Sequence, residues 1–388
     1  MRTKKFFFAG KYYSTFRKSL GIISIALLFL FFVSCDVNNG DDTPLPTLPD
    51  DVALFISIDD ANSIGLRVIN ANSFELLDTL NTSPGVPWSI EFTPDYKNWF
   101  SCWGFSGNYN IYSGSILPMV INKTIPLQFA NSSLAKDVNS KYLVAYIDKG
   151  VEIFDLVNLT SVKKDTTLSA SYIRIAMSKV YNRFYFTKWA NSHLDRLGIY
   201  DLDSMKTVDE VLIFDEIKYS GLEDVDLLVS NDDRYLFLSG WQWLGGFNGH
   251  GVFLVIDMLQ KKIINEFRIG AFSQLAQSPD GQSVYISDPG GYLYMFPSTN
   301  KVWRYDVKTN SLNQFLTTPG APDRIVVAED SRTIFISSWQ FIINSKHADI
   351  IKVDAQTGKI VSSYSAPLDS LGALTHIVRN IKIGKYLK

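Results

Sequence analysis

The stretch LVIDMLQKKII, residues 254–264, carries the pattern that decides the fold. A short apolar run leads to an Asp, a turn follows, and a second apolar run begins. Asp suits the mouth of such a hairpin, because its side chain accepts hydrogen bonds from the N–H groups of the turn and tolerates unusual backbone angles. The stretch therefore predicts two antiparallel strands joined by a short turn.

The same pattern returns along the whole chain, at intervals of 33 to 56 residues. The further copies are RVINANSFELL (67–77), MVINKTIPL (119–127), EIFDLVNLTSV (152–162), GIYDLDSMKTV (198–208), WRYDVKTNSLN (303–313) and IKVDAQTGKIV (351–361). With the first stretch they make seven copies, whose polar position is Asn70, Asn122, Asp155, Asp201, Asp257, Asp306 or Asp354. Each copy predicts one strand, turn, strand unit.

A second pattern alternates with the first: a short apolar strand, a polar turn and a strand of large alternating residues. Its clearest copies are SIEFTPDYKNWFSCW (89–103), RIAMSKVYNRFYFTKW (174–189), DLLVSNDDRYLFLSGW (226–241), LAQSPDGQSVYISDP (275–289) and IVVAEDSRTIFISSW (325–339). In the fourth copy Pro279 fixes φ and Gly281 is free to take positive φ, which is typical of a tight turn. Together the two patterns give four antiparallel strands per repeat, labelled A to D from the inside outward.

Seven four-stranded repeats predict an all-β chain folded as a seven-bladed β-propeller with antiparallel blades. The two ends of the chain predict how the ring closes. VALFISI at 52–58 is a B-type strand with no A strand before it, and the C-terminus supplies an A-type strand near Thr375 to Arg379. The last blade is therefore expected to combine N- and C-terminal strands, with IKIGKYLK (381–388) assigned to no element.

The ends of the B strands resemble the tetrapeptide of the YVTN-repeat propellers. The matching positions read LFIS (54–57), FYFT (184–187), LFLS (236–239), VYIS (284–287) and IFIS (334–337). The resemblance covers nearly all of residues 52–380, although the tetrapeptide itself is nowhere intact. It implies an extracytoplasmic binding protein. Propellers of similar architecture include lactonases and quinoprotein dehydrogenase subunits, so the fold alone does not choose the function.

The N-terminus has the order of an export signal: basic residues, an apolar stretch from Leu20 to Val33, then Ser34 and Cys35. The apolar stretch is shorter than the roughly 20 residues of a membrane-spanning helix; a permanent anchor helix is the alternative. Ser34 before Cys35 resembles the lipobox of bacterial lipoproteins, which implies acylation, including palmitate, at Cys35. Three parts follow: a signal peptide (1–34), a lipidated Cys with a flexible tether (35–51) and the propeller (52–388).

Composition excludes some classes of partner. Six basic residues precede Cys35, so the mature chain carries 31 basic against 39 acidic residues, a net charge of -8. That charge repels phosphate backbones, and no basic stripe with interleaved aromatics is present, so nucleic-acid binding is not expected. With Cys35 acylated, Cys102 is the remaining cysteine; no disulfide is expected, and Cys102 reads as a small buried apolar residue.

Aromatic residues mark the face on which the B-to-C and D-to-A loops lie. Several B strands end in a Trp, and other aromatics follow in the loops: Trp103, Trp189, Trp241, Trp243, Trp339, Tyr292, Tyr294 and Phe296. Such a girdle is suited to stacking on sugar rings or anchoring a protein partner. Packing of one blade against the next is the alternative for the tryptophans that end the strands.

Histidines and acidic residues are expected on the same face: His193, His250 and His347 lie in B-to-C loops, and His376 lies at the start of an innermost strand. His193, His250, His347 and His376 come from different blades and lack metal-ligand spacing, so solvated loop histidines are the main interpretation, and no metal or cofactor is expected. His376 is the one catalytic candidate. The loop carboxylates offer a cation or polar-ligand site at the channel mouth, or act as turn and solubility residues: Asp59, Asp60, Asp148, Glu223, Asp224, Asp288 and Asp323.

Two functions follow as hypotheses. The first is a monomeric, lipid-anchored protein of the outer membrane, facing the periplasm or the cell surface. It binds a glycan or an envelope protein partner through its loop-rich face and is not an enzyme. The second is a propeller enzyme of the lactonase or quinoprotein dehydrogenase type, using His376 and loop carboxylates at the channel mouth. The chain contains no nucleophile elbow, P-loop, dinucleotide fingerprint or haem-attachment motif.

Overall fold

A computed structural model describes residues 45–387, except 60–64, 83–84, 86, 106–107, 128–130, 148–149, 169–173, 191–192, 216–217, 220–221, 246–247, 271–272, 291–298, 340–349 and 366–376. Every element in this part of the chain is a strand. It therefore contains no helix long and apolar enough to cross a membrane. The expectations for the signal peptide, Cys35, Tyr292, Tyr294, Phe296, His347 and His376 fall outside the described residues.

The strands form seven antiparallel sheets of four strands each. In chain order, the strands of the first three blades are β1 (Val52–Asp59), β2 (Gly65–Asn70), β3 (Leu76–Asn81), β4 (Ser89–Phe92), β5 (Asn98–Phe105), β6 (Asn108–Ser115), β7 (Val120–Leu127), β8 (Asn131–Lys136), β9 (Tyr142–Ile147), β10 (Gly150–Asp155) and β11 (Ser161–Asp165). Blades four and five contain β12 (Ile175–Met177), β13 (Arg183–Ala190), β14 (His193–Asp201), β15 (Lys206–Ile213), β16 (Leu222–Val229), β17 (Tyr235–Gly245), β18 (Asn248–Asp257) and β19 (Lys262–Ile269).

The last two complete blades and the closing strand follow. They are β20 (Leu275–Gln277), β21 (Ser283–Asp288), β22 (Lys301–Asp306), β23 (Ser311–Thr317), β24 (Ala321–Val327), β25 (Thr333–Trp339), β26 (Ile350–Asp354), β27 (Ile360–Tyr364) and β28 (Ile377–Lys385). The innermost strand of each blade contacts the innermost strand of the next, from β4 round to β24 and β28, and β28 in turn contacts β4. The ring is thus closed, as the repeat count predicts.

The N- and C-terminal strands join in the first blade, whose order is β28, β1, β2, β3. β28 pairs antiparallel with β1 from Val52 opposite Lys385 to Asp59 opposite Ile377. The predicted closure is confirmed, but the closing strand extends beyond Arg379 through the segment that the sequence leaves unassigned. Gly384 lets this strand approach its neighbours, because a Cβ there would lie 2.9 Å from both Phe55 and Phe92.

The core consists of seven apolar clusters, each between two neighbouring blades. Each B strand contributes side chains to the clusters on both faces of its blade. In β1, Leu54 and Ile56 face the seventh blade, and Ala53 and Phe55 face the second. Near-continuous apolar runs are expected where a strand is buried on both faces. The free thiol of Cys102 lies in the cluster between blades two and three and is fully buried, as its sequence context predicts.

The turns from C to D strands have the predicted chemistry in six blades. Asn70, Asp155, Asp201, Asp257, Asp306 and Asp354 each end a C strand, and each accepts hydrogen bonds from turn N–H groups through Oδ1. Four residues later, each turn contains a residue with φ between 50° and 72°. The side chain therefore satisfies donors that a turn leaves open.

The second blade departs from the prediction. Asn122 lies inside β7, and the C strand β6 ends at Ser115 instead. Ser115 donates a hydrogen bond from Oγ to the Pro118 carbonyl at 3.0 Å, so a hydroxyl contributes to this turn in place of an amide or carboxylate. The prediction of a turn at Asn122 is wrong because the apolar residues before it match the pattern that precedes the C-to-D turn in the other blades.

The structure also changes the extent of the predicted tether. Residues 45–51 lie against the propeller, where Leu48 is 5% exposed and belongs to the cluster between blades seven and one. The Leu48 N–H donates to Asn72 Oδ1 at 3.1 Å, and Asn72 Nδ2 donates to the Leu48 carbonyl at 2.8 Å. This paired amide contact and the buried leucine hold a segment whose composition predicts a spacer.

Replacing the turn residue Asp257 by Ala tests the role of these side chains. Asp257 is 1% exposed and accepts from the N–H groups of Leu259 and Gln260 at 2.9 Å and from Arg234 Nη2 at 2.7 Å. We expect Asp257→Ala to lower the free energy of unfolding by about 2–3 kcal/mol, because it also leaves Arg234 without its carboxylate. Urea unfolding measures the change. The matched Asp306→Ala removes an acceptor used only by the residues of its own turn, Lys308 and Thr309, and should cost about 1 kcal/mol; equal losses would contradict this role for Arg234.

Candidate binding site at the channel mouth

Buried hydroxyls near the ends of the B strands fix where the inner strands begin. The hydroxyl-bearing residues are Ser57, Ser101, Thr187, Ser239, Ser287 and Ser337, all with 0% exposure. Ser57 donates to the Pro87 carbonyl at 2.5 Å and Ser239 to the Ser273 carbonyl at 2.8 Å, across to the next blade. Three other hydroxyls accept hydrogen bonds from backbone N–H groups within their own blades. Thr187 accepts from Arg174 at 2.9 Å, Ser287 from Gln274 at 2.9 Å, and Ser337 from Arg324 at 3.0 Å.

This repeated contact places a polar residue at the same level of the inner strand in five blades. We call this set the inner polar ring: Asn380, Arg174, Asp226, Gln274 and Arg324. Asn380 is the cross-strand partner of Ser57, and Asp226 is that of Ser239. The other three members donate a backbone N–H hydrogen bond to the hydroxyl of their B strand. Ile90 has the same position in the second blade. The inner polar ring therefore lies around the central channel on the side of the D-to-A loops.

The members of the inner polar ring contact one another and the neighbouring backbone. Arg324 donates from Nη1 to Gln274 Oε1, and its Nε lies 3.9 Å from Asp323 Oδ1. Asp226 accepts from the Leu275 N–H at 2.8 Å. Burial raises the pKa of Asp226, although this backbone hydrogen bond and the charges of Arg324 and Arg174 oppose the shift. The ring thus offers fixed donors and acceptors of both charges.

Trp88 stands at the entrance to this ring and was not predicted from the sequence. It directly precedes β4, and 44% of its surface is exposed. The backbone N–H of Trp88 donates to the Cys102 carbonyl at 3.0 Å, and the backbone carbonyl of Trp88 accepts from Asn380 Nδ2 at 2.9 Å. The pattern of tryptophans at B-strand ends does not include it, because Trp88 lies in a D-to-A loop. Its place next to the first residue of an A strand is the signal that could have found it.

Two of the predicted ligand-contacting tryptophans are buried in the structure. Trp103 is 3% exposed, stacks on Tyr112 with ring centroids 3.6 Å apart, and lies against Gly85. Trp241 is 5% exposed, and a Cβ on Gly249 would lie 2.2 Å from its ring. Both rings are therefore packed against the protein, which agrees with the alternative interpretation of these tryptophans and not with ligand contact. The side chains of Trp189, Trp243 and Trp339 are outside the described residues.

The loop histidines and carboxylates do not assemble into a described metal site. Within the described part of the chain, no group of three or more His, Cys, Asp or Glu residues is placed to hold a metal ion. His250, expected in a loop, lies instead in β18 opposite Gln242, because β17 and β18 extend further than the sequence predicts. Burial and the charge of Arg268 lower the pKa of His250. Asp288 is 2% exposed and accepts from Thr299 Oγ1 and Trp303 Nε1 at 2.6 and 2.8 Å, so it ties a loop to its own blade.

The remaining predicted carboxylates and His193 are either placed outside a shared site or not described. Asp323 contacts Arg324, and Glu223 is exposed in β16, where it pairs with Trp241 across the strands. The structure does not describe Asp60, Asp148 or the side chains of Asp59, Asp224 and His193.

A separate cavity of about 310 Å³ lies on the opposite face, where the A-to-B and C-to-D turns are. Its walls are residues 46–49, Val52, Tyr96, residues 328–330 and residues 383–385. The cavity is thus bounded by the docked N-terminal segment and the end of β28. We do not assign it to the channel mouth, because the two lie at opposite ends of the inner strands.

The chain is a seven-bladed β-propeller with a polar channel mouth and an exposed tryptophan beside it. No family profile and no curated protein matches its sequence. Among solved structures it is similar to dihydro-heme d1 dehydrogenase NirN in complex with DHE, with 15% identity, a TM-score of 0.56, and coverage of 86% of this chain and 67% of that one. Hydrazine synthase of Kuenenia stuttgartiensis is similar with 14% identity, a TM-score of 0.50, and coverage of 70% and 77%. At these identities the likeness shows the propeller fold alone.

Proposed function

We propose that the chain is a lipid-anchored extracytoplasmic protein that binds a glycan at the channel mouth. The observation that carries the proposal is the exposed residue Trp88, whose backbone carbonyl accepts a hydrogen bond from Asn380 of the inner polar ring at 2.9 Å. Sugar rings present apolar C–H faces and fixed hydroxyls, and an aromatic ring with nearby Arg, Asp, Asn and Gln side chains complements both. The site is built on strands whose starts are fixed by buried hydrogen bonds, so its groups are positioned before a ligand arrives.

The anchor in this proposal is Cys35, acylated after removal of residues 1–34, with the protein held at the outer membrane. The Ser34–Cys35 junction after an apolar stretch supports it. An envelope protein is the other partner that an exposed Trp would suit, because Trp is enriched among residues that dominate protein interfaces. The chemistry of the inner polar ring favours the glycan, since it offers several hydrogen-bonding groups in one confined place.

Trp88→Ala tests the site. A glycan array probed with the detergent-solubilised full chain should give specific binding. The variant should weaken binding to the strongest glycan by at least about tenfold, because truncating a central aromatic hot spot costs about 2 kcal/mol or more and tenfold corresponds to about 1.4 kcal/mol. Tyr181→Ala is the matched control, since Tyr181 is 53% exposed on the opposite face. Unchanged binding in Trp88→Ala, together with unchanged binding in Asn380→Ala, would overturn the site. Capture of an envelope protein without any glycan signal would instead favour the protein partner.

A further inference from the structure

The face opposite the channel mouth carries exposed apolar side chains. We call it the turn face: the A-to-B and C-to-D turns of the seven blades. Val157 is 85% exposed, Leu259 75%, Tyr181 53% and Leu117 48%, and each lies in such a turn. Among the described residues, every exposed large apolar side chain except Trp88 lies in these turns, within the first three residues of a D strand, or just after β28: Leu76, Leu117, Val120, Ile121, Val138, Val157, Val162, Val180, Tyr181, Val208, Leu259, Ile360, Val361 and Leu387.

The apolar residues of the turn face contribute little to the core. Turn tips are ordinarily polar, since their residues are solvated and selected for turn geometry. Val157 and Leu259 occupy the positions two residues after Asp155 and Asp257, where the turn requires only a backbone N–H. An apolar side chain in that place adds nothing to the hydrogen bonding of the turn. Single exposed apolar residues are ordinary on a protein surface, but here nearly all of those described are concentrated at one face, some as neighbours such as Val120 and Ile121 or Val180 and Tyr181. That concentration indicates a surface that is covered in use.

Lysines stand among these apolar tips. Exposed lysines at the same turns or at the first residue of the following strand are Lys97, Lys141, Lys206, Lys261, Lys262, Lys308 and Lys359. The repeated Asp residues of the C-to-D turns direct Oδ1 to turn N–H groups, and Asp257 and Asp354 also pair with Arg234 and Arg332. Exposed carboxylates stand at the same turns, so the face carries both charges: Glu75, Asp95, Asp203, Asp232, Asp280, Glu329 and Asp330. The apolar tips are therefore the feature that suits the interface of a bilayer, and the lysines can approach its phosphates.

The N-terminal segment is attached to the turn face. Residues 45–51 contact Asn72 in the first C-to-D turn, and the cavity they border includes the A-to-B turn residues Tyr96 and 328–330. Nine residues lie between Cys35 and Leu45, so the ten Cα–Cα steps from one to the other can span at most about 36 Å when fully extended. An acyl group on Cys35 would therefore be held within that distance of the place where Leu45 meets the turn face.

We infer that the turn face rests on the lipid bilayer, with its apolar tips and lysines at the headgroup level, and that the channel mouth consequently points away from the membrane. This inference rests on the proposed anchor at Cys35. It adds that the blades contribute a second membrane contact.

Depth-dependent quenching tests the orientation on the full lipidated chain. Leu259→Cys and Val157→Cys place a bimane label on the turn face, and Thr317→Cys places a matched label at the exposed end of a D strand on the loop side. The native Cys102 is not expected to react, since burial raises its pKa to about 12. The chain is reconstituted in vesicles of phosphatidylethanolamine and phosphatidylglycerol that contain nitroxide-labelled lipid.

We expect the nitroxide lipid to cause loss of fluorescence at positions 157 and 259 and no loss at 317. Quenching at 317 alone, equal quenching at all positions, or none at 157 and 259 would overturn the orientation. The mass of the same preparation reports acylation of Cys35 separately. A chain without acyl groups overturns the anchored function, whereas a lipidated chain with unquenched labels at 157 and 259 overturns only the contact of the turn face.

Discussion

Deletion of residues 377–388 should abolish cooperative folding of the whole propeller. The deletion removes β28, which is the inner of the two strands that pair with β1 and lies along its full length. It also removes Val378 and Ile381 from the cluster between blades seven and one, and Tyr386 from the cluster between blades one and two. The loss is expected to exceed the 5–15 kcal/mol by which a typical domain is stable.

The consequence extends beyond one strand, because β28 is the inner strand through which β24 and β4 are joined. Without it the ring has two open ends, and the buried side of β1 becomes an unpaired strand edge that promotes aggregation. Circular dichroism and urea unfolding measure the outcome. The control is a chain lacking only residues 387–388, which should unfold at the parent urea concentration. A truncated chain with the parent transition would contradict the closure, and a synthetic peptide of residues 377–388 should restore folding in part.

Asp233→Ala should destabilise the junction of blades four and five by about 3–5 kcal/mol. Asp233 is 6% exposed and lies in the A-to-B turn of the fifth blade. Its Oδ2 accepts from Ser178 Oγ at 2.6 Å and from Tyr185 OH at 2.9 Å, and lies 3.4 Å from Arg183 Nη2, all in the fourth blade. Removing the carboxylate leaves these donors buried without their acceptor. Burial and the charge of Asp233 raise the pKa of Tyr185, so the phenol stays protonated and continues to donate.

The backbone of Asp233 contributes a smaller, separate cost. Its φ of 57° is better tolerated by Asp than by Ala. Ser331 occupies the equivalent turn position in the seventh blade with φ of 55°, and its Oγ accepts one bond, from the Asp280 N–H at 3.0 Å. Ser331→Ala therefore measures the conformational cost with the loss of one hydrogen bond and should lower stability by about 1–2 kcal/mol. Equal shifts of the urea midpoint in the two variants would contradict the importance of the ionic network.

The fold could be predicted from the sequence because its signals are local. An Asn or Asp after two apolar residues indicates a turn, and repetition of that phrase indicates blades. The failures have local causes as well. The apolar residues before Asn122 match the pattern that precedes a turn in the other blades, but the turn of the second blade follows Ser115. The sequence predicts only the first part of β28, since Gly384 and Lys385 end the alternation of apolar and polar residues that runs from Ile381 to Ile383.

The channel mouth could not be predicted in the same way, because it depends on register between strands. Arg174, Asp226 and Arg324 stand in different sequence contexts, and only the hydroxyl of the paired B strand shows that they share one level. The interpretation of Trp103 as a ligand contact had a related weakness. Successive residues of a B strand face opposite neighbouring blades, and the position of a residue at a strand end does not reveal which surface covers it.

Hydrogen–deuterium exchange of the full chain, with and without the strongest glycan of the array, tests the central claim most directly. If the channel mouth is the binding site, the glycan should slow amide exchange in segments 87–90, 174–176, 226–227, 274–275 and 323–325. The turns at 71–75, 156–159 and 257–261 should be unaffected. Protection confined to those turns, with none around Trp88 and the inner polar ring, would contradict the assignment of the binding face.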